Sequence, residues 1–400
     1  MDLVELNLKD NNLGGQVPQC LTNFTYLKVL VLSSNQLSGI LPSAFTHTKS
    51  LEYLDVQENN FEGKYSLSSW ANHSKLQILA LSSRNNSFQV ENDNWFPTFQ
   101  LKALRLTHCN LNAIPSFLLY QYDLLSVDLS HNKLVGTFPS WLLVNNTNLR
   151  EMFLVNNSFS GTLKLPNTKH DSITLFDISH NNFNGPLPKN ISMGEITMMD
   201  LSNNHFSGEL PCDFLIGCFS LEMLNLSNNN FNGQIFPQYM NMASLMFIYL
   251  NNNNFSGKIG KGLQNFTSLF ALDISNNKVS GKVPNWIDHS FEVNFLTKNR
   301  YDSYKGDILN FMTGMDLSNN DLFGDIPLEI GDLQGIKALN LSNNLLARSI
   351  PKSFSKLKNI ESLDLSHNKL SGQIPRQLTE LTLDYSVFNV SYNNLSRVDS

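Results

Sequence analysis

Leucine-like residues recur along this chain three, five and eight positions before an asparagine. In the clearest copy, Ile360, Leu363 and Leu365 precede Asn368, and polar residues flank Leu363 and Leu365. This alternation predicts a short strand with one buried face and one wet face. We call the asparagines of this pattern the ladder asparagines; they stand at positions 11, 35, 59, 132, 157, 181, 204, 229, 253, 277, 320, 344, 368 and 393. Because they are mostly 23 to 25 residues apart, the pattern predicts a solenoid.

Each repeat is predicted to form a strand, an inward turn and an irregular return segment. Parallel stacking of the strands builds a sheet, since no single repeat can bury its own leucines. The asparagine carboxamide is expected to satisfy backbone donors and acceptors at the turn. In the fourth and fifth repeats Arg84 and Cys109 take the asparagine position, and Asn85 beside Arg84 indicates a local slip. Two positions after the asparagine, phenylalanine is frequent: Phe61, Phe159, Phe183, Phe206, Phe231 and Phe255.

The repeat consensus LxxLxLxxNxLxGxIP, as in IESLDLSHNKLSGQIP, resembles the plant-specific class of leucine-rich repeats. Segments such as WFPTFQLKALRLTHCNL and RYDSYKGDILNFMTGMDLSNN are similar to segments of plant receptor-like proteins, cell-surface receptors without a kinase of their own. The resemblance covers essentially the whole chain. It implies a leucine-rich-repeat solenoid of the α/β class. The expected form is a curved right-handed coil with a parallel β-sheet on the concave face and irregular, short-strand and 3-10 segments on the convex side.

The repeat period breaks once, between Asn277 and Asn320, which are 43 residues apart. We therefore expect repeats 1 to 12 in residues 1–284, an insertion in residues 285–311, and repeats 13 to 16 in residues 312–400, ending without a cap. In the resembling receptors such an island precedes the last four repeats and contacts ligand or co-receptor. The resemblance implies island contacts by four residues: Lys298, Arg300, Tyr301 and Tyr304.

Charge and cysteine content argue against nucleic acid and metal ions as partners of this chain. The net charge of -6 and pI near 5.8 argue against nucleic acid, because phosphate binding needs an excess of lysine and arginine. The four cysteines, at positions 20, 109, 212 and 218, do not have a metal-binding spacing. Cys212 and Cys218 either form a disulfide in an oxidising compartment or remain separate buried thiols. No cofactor is expected.

The chain shows neither a secretory signal nor a membrane span. Its densest apolar run, Leu245 to Leu250, is too short to cross a bilayer. The resemblance implies a plasma-membrane receptor with an extracellular ectodomain, attached to the membrane only through segments that this chain lacks. We therefore expect an ectodomain fragment or a truncated gene product.

Recurring aspartates and histidines resemble catalytic groups but follow the repeat. Aspartates recur four positions before the ladder asparagine, and Asp177 and Asp200 on successive strands could act as paired carboxylates. Because this column runs along the whole array, we interpret it as structural. His131, His180 and His367 each stand just before a ladder asparagine, which indicates a tolerated surface position. Catalytic signatures are absent from the sequence, so we expect no enzymatic activity.

Binding is expected on the concave face. Residues six, four and two positions before the ladder asparagine point outward from that face, and in a few repeats they are apolar or aromatic. Aromatic anchors ringed by polar groups are typical of peptide-binding hot spots, although scattered outward apolar residues can also be without function. The predicted ligand-binding residues are Phe153, Met198, Met223, Phe247, Tyr249 and Asp273, which stand in these columns, and Phe270, which stands one position further upstream.

Twelve N-x-S/T sequons occur, several of them produced by the repeat consensus itself. Asn225, Asn340 and Asn389 fall on the strand face, where a glycan would block the concave surface. Glycosylation is predicted at four sequons outside the strand register: Asn23, Asn72, Asn145 and Asn265.

The leading hypothesis is the ligand-sensing ectodomain of a plant receptor-like protein. It would bind an extracellular peptide or other elicitor and signal through a partner receptor kinase. A second hypothesis is a soluble secreted inhibitor of microbial cell-wall hydrolases, which the insertion and the missing cysteine caps argue against. A third is a truncated product without function, whose exposed hydrophobic ends promote aggregation.

Overall fold

The computed structural model describes residues 3–91, 93–166, 170–189, 193–211, 214, 216–238, 242–266, 268–285, 314–333, 335–376, 378 and 387–396. The chain divides into two compact units. Unit 1 comprises Met1–Asn184 and Ile191–Ile196, and unit 2 comprises Gly185–Asn190 and Thr197–Ser400. The predicted insertion at residues 285–311 lies outside the described residues apart from residue 285, so the predicted domain boundaries remain a prediction.

Each unit contains a row of short parallel strands, one from each repeat, which we call the main strands. In the described part of unit 1 they are Glu5–Asn7, Val29–Val31, Tyr53–Asp55, Ile78–Leu81, Ala103–Leu106, Ser126–Asp128, Glu151–Phe153 and Leu175–Asp177. In unit 2 they are Met198–Asp200, Met223–Asn225, Phe247–Tyr249, Ala271–Asp273, Gly314–Asp316, Ala338–Asn340, Ser362–Asp364 and Val387–Asn389. Neighbouring strands within a unit pair in parallel, as when Phe247 stands opposite Ala271. The repeated parallel strand confirms the predicted fold class.

The main strands alternate between the core and the outside, as their sequence pattern predicts. In Phe247–Tyr249 the central Ile248 is buried, whereas Phe247 and Tyr249 are half-buried. Leu54 and Leu363 are the corresponding central residues of their strands and are fully buried. Burying these branched side chains between successive repeats is the main source of stability, because each repeat covers its neighbour.

The return segments form a second row of strands. In unit 1 these are Gly14–Gln16, Gln36–Ile40, Asn60–Glu62, Lys64–Ser66, Gln89–Glu91, Val135–Gly136, Ser158–Gly161 and Asn182–Gly185, the last of which ends at the first residue of unit 2. In unit 2 they are His205–Gly208, Asn230–Gly233, Asn254–Lys258, Lys278–Gly281, Asp321–Asp325, Leu345–Arg348, Lys369–Gln373 and Asn394–Ser396. Short helices follow some of them: the 3-10 helices Gln19–Asn23, Ser43–His47, Leu67–Trp70, Ser116–Tyr120, Lys261–Asn265, Leu328–Asp332 and Lys352–Lys356, and the α-helix Ser140–Asn145. Irregular, short-strand and 3-10 segments therefore make up the return side, as predicted.

The ladder asparagines tie each turn to the one before it. Asn253 is buried, and its Nδ2 donates to the carbonyl oxygens of Leu226 at 2.9 Å and Leu250 at 3.1 Å. Its Oδ1 accepts a hydrogen bond from the Phe231 amide at 3.0 Å. Both functions of the carboxamide are thus used, and two of these partners belong to the preceding repeat.

Arg84 keeps the ladder position of the fourth repeat, because it follows Leu81 by three residues as Cys109 follows the paired Leu106, but its side chain is exposed. A parallel bridge joins Asn59 to Ser83, and the buried Ser83 Oγ donates to the Phe61 carbonyl at 2.6 Å. The Arg84 side chain instead reaches Glu58, with a distance of 3.7 Å between Nη2 and Oε2. The buried polar side chain therefore comes from Ser83, one residue earlier, and the backbone shows a local slip here, as predicted. A buried guanidinium would need a charged partner, which a serine hydroxyl avoids.

Cys109 takes the ladder position of the fifth repeat, as predicted. Its buried Sγ donates to the carbonyl of Leu81 at 3.4 Å, and burial raises the pKa of its thiol far above the ordinary value. The thiol is therefore a hydrogen-bond donor in the core and is unreactive.

The residue before each ladder asparagine has a positive φ, for example Asn252 at 55° and His180 at 54°. Residues with short polar side chains and histidine enter this region more readily than other types. The recurring SHN sequences therefore have a backbone cause, which the sequence pattern alone did not reveal.

Phenylalanines stack along the second row of strands. The rings of Phe206 and Phe231 are 6.1 Å apart, as are those of Phe231 and Phe255, and both pairs are nearly parallel. All three side chains are fully buried. They form a continuous aromatic core column in unit 2, which explains the preference for phenylalanine at this position.

Candidate functional site

The predicted binding residues of unit 2 lie on the outward side of its main strands. Met198 stands opposite Met223, and Met223 stands opposite Phe247. Two residues further along the strands, Asn225 stands opposite Tyr249, which in turn stands opposite Asp273. Adjacent parallel strands are about 4.8 Å apart, so the side chains in each row are neighbours.

These side chains form a partly accessible apolar surface, which we call the aromatic patch: Met198, Met223, Phe247, Tyr249 and Phe270. Each of them is half-buried. The rings of Phe247 and Phe270 stack with centroids 6.2 Å apart and planes inclined by 23°. The rings are therefore held side by side while one face of the patch remains accessible to a ligand.

Phe153, the remaining predicted aromatic anchor, belongs to unit 1. It is half-buried and stands between Asp128 and Asp177 on the neighbouring main strands. The structure therefore places it on the outward side, as predicted, among carboxylates of its own unit.

A row of aspartates and asparagines runs along the same outward side of unit 2. Each aspartate accepts the amide hydrogen of the serine two residues later, as Asp316 Oδ1 does from Ser318 at 2.9 Å. The second oxygen of three aspartates accepts a hydrogen bond from an asparagine on the next strand. These bonds are Asn225 to Asp200 at 2.8 Å, Asn340 to Asp316 at 3.0 Å, and Asn389 to Asp364 at 3.1 Å.

Asp273 departs from this arrangement because the residue opposite it is Asp316. Two half-buried carboxylates therefore face each other where the other strands place an amide. Burial and the charge of Asp316 raise the pKa of Asp273 to about 7, and burial also raises the pKa of Asp316. At neutral pH the pair carries less than its full charge, and a cation placed between the carboxylates would stabilise their charged forms.

Asp316 is a candidate site residue that the sequence analysis missed. The sequence does contain the information. When the repeats are aligned, Asp273 and Asp316 occupy the same position in successive repeats, where the other neighbouring repeats of unit 2 place an asparagine or a tyrosine beside the aspartate. Recognising it required aligning the repeats across the insertion, which separates the two residues in sequence.

A second apolar row, in unit 1, was also missed. Val29, Tyr53, Ile78 and Ala103 stand in register on four successive main strands. Each of them stands six positions before the ladder position of its repeat, as Phe247 does. The sequence pattern could therefore have identified them. Tyr53 lies near Asp55 and Arg105, and burial raises the pKa of its hydroxyl.

Several predicted residues fall outside this surface. The island contacts Lys298, Arg300, Tyr301 and Tyr304 lie outside the described residues. Cys212 does as well, so its pairing with Cys218 stays untested; burial raises the pKa of the Cys218 thiol to about 12.

The four predicted glycosylation sites differ in exposure. Asn23 and Asn72 are exposed, whereas Asn145 and Asn265 are half-buried. The Nδ2 of Asn145 donates to the Leu119 carbonyl at 3.3 Å. The exposed pair is therefore better suited to carry a glycan.

Within the described residues, no group of three or more histidine, cysteine, aspartate or glutamate side chains is arranged to hold a metal ion. The same part of the chain contains no helix with the length and hydropathy needed to cross a bilayer.

Family models match the repeats of this chain, and a curated relative is a receptor-like protein. One leucine-rich repeat model matches residues 2–61 and 312–370, and a second matches five segments between residues 123 and 290. Receptor-like protein 13 of Arabidopsis thaliana is 39% identical over 270 residues, which cover 61% of this chain and 25% of that protein. The chain therefore spans about a quarter of the length of this curated relative.

Solved structures of receptors share the fold. A TDR receptor aligns over 97% of this chain and 64% of its own with a TM-score of 0.75 and 22% identity. The Arabidopsis receptor kinase HAESA, solved in complex with the peptide hormone IDA and the co-receptor SERK1, aligns over 98% of this chain and 75% of its own. Its TM-score is 0.61 and its identity is 27%.

Proposed function

This chain belongs to the plant leucine-rich repeat receptor-like proteins, and from that membership we propose that it is part of an extracellular ligand-sensing domain. It binds a peptide or other elicitor on the outward side of its main strands, at the plasma membrane, and the signal passes to a partner receptor kinase. The chain itself performs no catalysis.

The aromatic patch is the observation that carries this proposal. Phe247 and Tyr249 flank the buried Ile248, so their strand is anchored in the core while their rings remain partly accessible. Aromatic side chains on rigid strands bind ligands with little loss of conformational entropy. The peptide and co-receptor bound to HAESA support the same type of ligand and partner for this chain.

A selection experiment tests the proposal. Random dodecapeptides displayed on their own mRNA are selected on the immobilised full chain. We expect the selected peptides to lose binding when Phe247→Ala and Tyr249→Ala are combined. The matched control combines Phe219→Ala with Tyr392→Ala, because these exposed rings belong to unit 2 but lie outside the main strands.

The control variant is expected to keep the affinity of the parent chain. If the two double variants bind every selected peptide as the parent does, the aromatic patch is not the binding surface. Circular dichroism of both variants checks that their fold is retained.

A further inference from the structure

The Asp273–Asp316 pair adds charge to one end of the aromatic patch. Tyr249 stands opposite Asp273, and Asp273 stands opposite Asp316, so an aromatic ring and two carboxylates occupy three successive strands. Carboxylates bind guanidinium and ammonium groups strongly, and an adjacent ring face adds a cation–π attraction.

The lysine that precedes the following main strand does not form an ion pair with these carboxylates. Lys337 lies just before the strand Ala338–Asn340, and its Nζ pairs with Glu361 at 3.0 Å. Asn340 donates to Asp316, but among the described residues Asp273 receives hydrogen bonds only from Ser275. A cationic group from a ligand would supply the donor that Asn225, Asn340 and Asn389 supply elsewhere in the row.

The aromatic patch together with the Asp273–Asp316 pair is about as long as a short extended peptide. From Met198 to Asp316 it crosses five main strands, which at about 4.8 Å per step is a distance of about 19 Å. An extended chain rises about 3.3 Å per residue, so about six residues span this surface.

We propose that this surface binds an extended peptide segment whose arginine or lysine side chain lies between the carboxylates of Asp273 and Asp316. Apolar side chains of the same segment cover Phe247, Tyr249 and Phe270. The proposal rests on the proposed ligand-sensing function and names the chemistry of the ligand. The raised pKa of Asp273 supports it, because a bound cation relieves the repulsion that burial and Asp316 impose.

The dodecapeptide selection tests this proposal directly. We expect the selected peptides to be enriched in arginine and lysine. Replacing the basic residue of a binder by citrulline, the neutral isostere of arginine, should weaken binding by about tenfold or more, the value of a hydrogen bond to a charged group. Asp273→Asn and Asp316→Asn should remove most of this difference.

Asp364→Asn is the matched control, because Asp364 occupies the same row beyond the patch and already receives the Asn389 amide. It should preserve the preference for arginine over citrulline. Binders that need Phe247 and Tyr249 but tolerate citrulline and Asp273→Asn would overturn the cation site and leave the proposed function intact. If no binder depends on Phe247 and Tyr249, both proposals fail.

Discussion

Some side chains of this molecule form hydrogen bonds with the backbone, and others form the outward surface. The ladder asparagine is the clearest example of the first kind. The Asn253 side chain forms hydrogen bonds with backbone atoms of its own and the preceding repeat: three carbonyl oxygens and the Phe231 amide. An apolar replacement has the right size but leaves buried polar groups without partners, which costs about 1–3 kcal/mol for each group.

We predict that Asn253→Leu lowers the free energy of unfolding by about 2–4 kcal/mol, because the Phe231 amide and the Leu226 carbonyl lose their partner. Urea unfolding followed by circular dichroism measures the loss. The control is Asn252→Gly, since Asn252 is exposed and has a φ of 55° that glycine adopts without strain. An unchanged urea midpoint for Asn253→Leu would contradict this account of the ladder.

Asp273 illustrates the opposite case, a side chain whose position costs stability. Its pKa rises from the ordinary 3.8 to about 7 on folding, so the folded state holds its proton more tightly than the unfolded state. Stability should therefore fall as pH rises between about 4 and 7 and level off above that range.

We predict that Asp273→Asn is more stable than the parent chain at pH 8, by on the order of 1–3 kcal/mol, and similar to it near pH 4. Thermal unfolding across this pH range measures the difference. Asp364→Asn should instead lower stability at pH 8, because it weakens the hydrogen bond from Asn389. A lower melting temperature of Asp273→Asn at pH 8 would show that Asp273 and Asp316 do not repel each other.

At the scale of the element, the strands of each repeat are held by apolar contacts to the next repeat. Phe231 is fully buried and stacks with Phe206 on one side and Phe255 on the other. Removing a ring from such a column leaves a cavity between three repeats.

We predict that Phe231→Ala costs about 3–5 kcal/mol of unfolding free energy. Phe231→Leu should cost less, because it fills much of the same volume without a charge or polar group. Hydrogen exchange should lose protection first in the strands Met223–Asn225 and Asn254–Lys258 and least in Ser362–Asp364, since repeats contact only their neighbours. An equal loss of protection in all three strands would rule out this nearest-neighbour behaviour.

The direction of each main strand residue could be predicted from the sequence because a period of two determines which side it faces. Phe247 and Tyr249 lie where the pattern placed them. A local slip beside Arg84 was predicted, but Ser83 could not be identified as the buried residue, because the bridge from Asn59 to Ser83 becomes visible only when the strands are paired. The Asp273–Asp316 contact was hidden for a different reason: neighbours in space are separated by an insertion in sequence.

At the scale of the whole molecule, the outward side of the main strands must remain accessible if it binds a ligand. The sequons on that side are already engaged: the Nδ2 atoms of Asn225, Asn340 and Asn389, to which a glycan would attach, donate to aspartates. Asn23 and Asn72 are exposed and lie outside the main strands.

We predict that the chain, when expressed through a secretory host, carries glycans at Asn23 and Asn72 and none at Asn225, Asn340 or Asn389. A glycan there would break a hydrogen bond of 2.8 to 3.1 Å and cover the aspartate row. Glycopeptide mass spectrometry after digestion measures the occupancy of each site. Asn23→Gln and Asn72→Gln are the controls, and an occupied Asn225 would contradict the prediction.

The ladder asparagine recognises the preceding turn through backbone carbonyls and an amide, which every amino acid provides. One turn of the coil can therefore be duplicated, lost or exchanged during evolution without redesigning its neighbours, provided that the leucines and the asparagine are kept. Outward residues beyond the aspartate and asparagine row, such as Met223 and Phe247, take no part in these hydrogen bonds and can vary without breaking them. Recombination of turns as units can thus change the residues that the outward side presents.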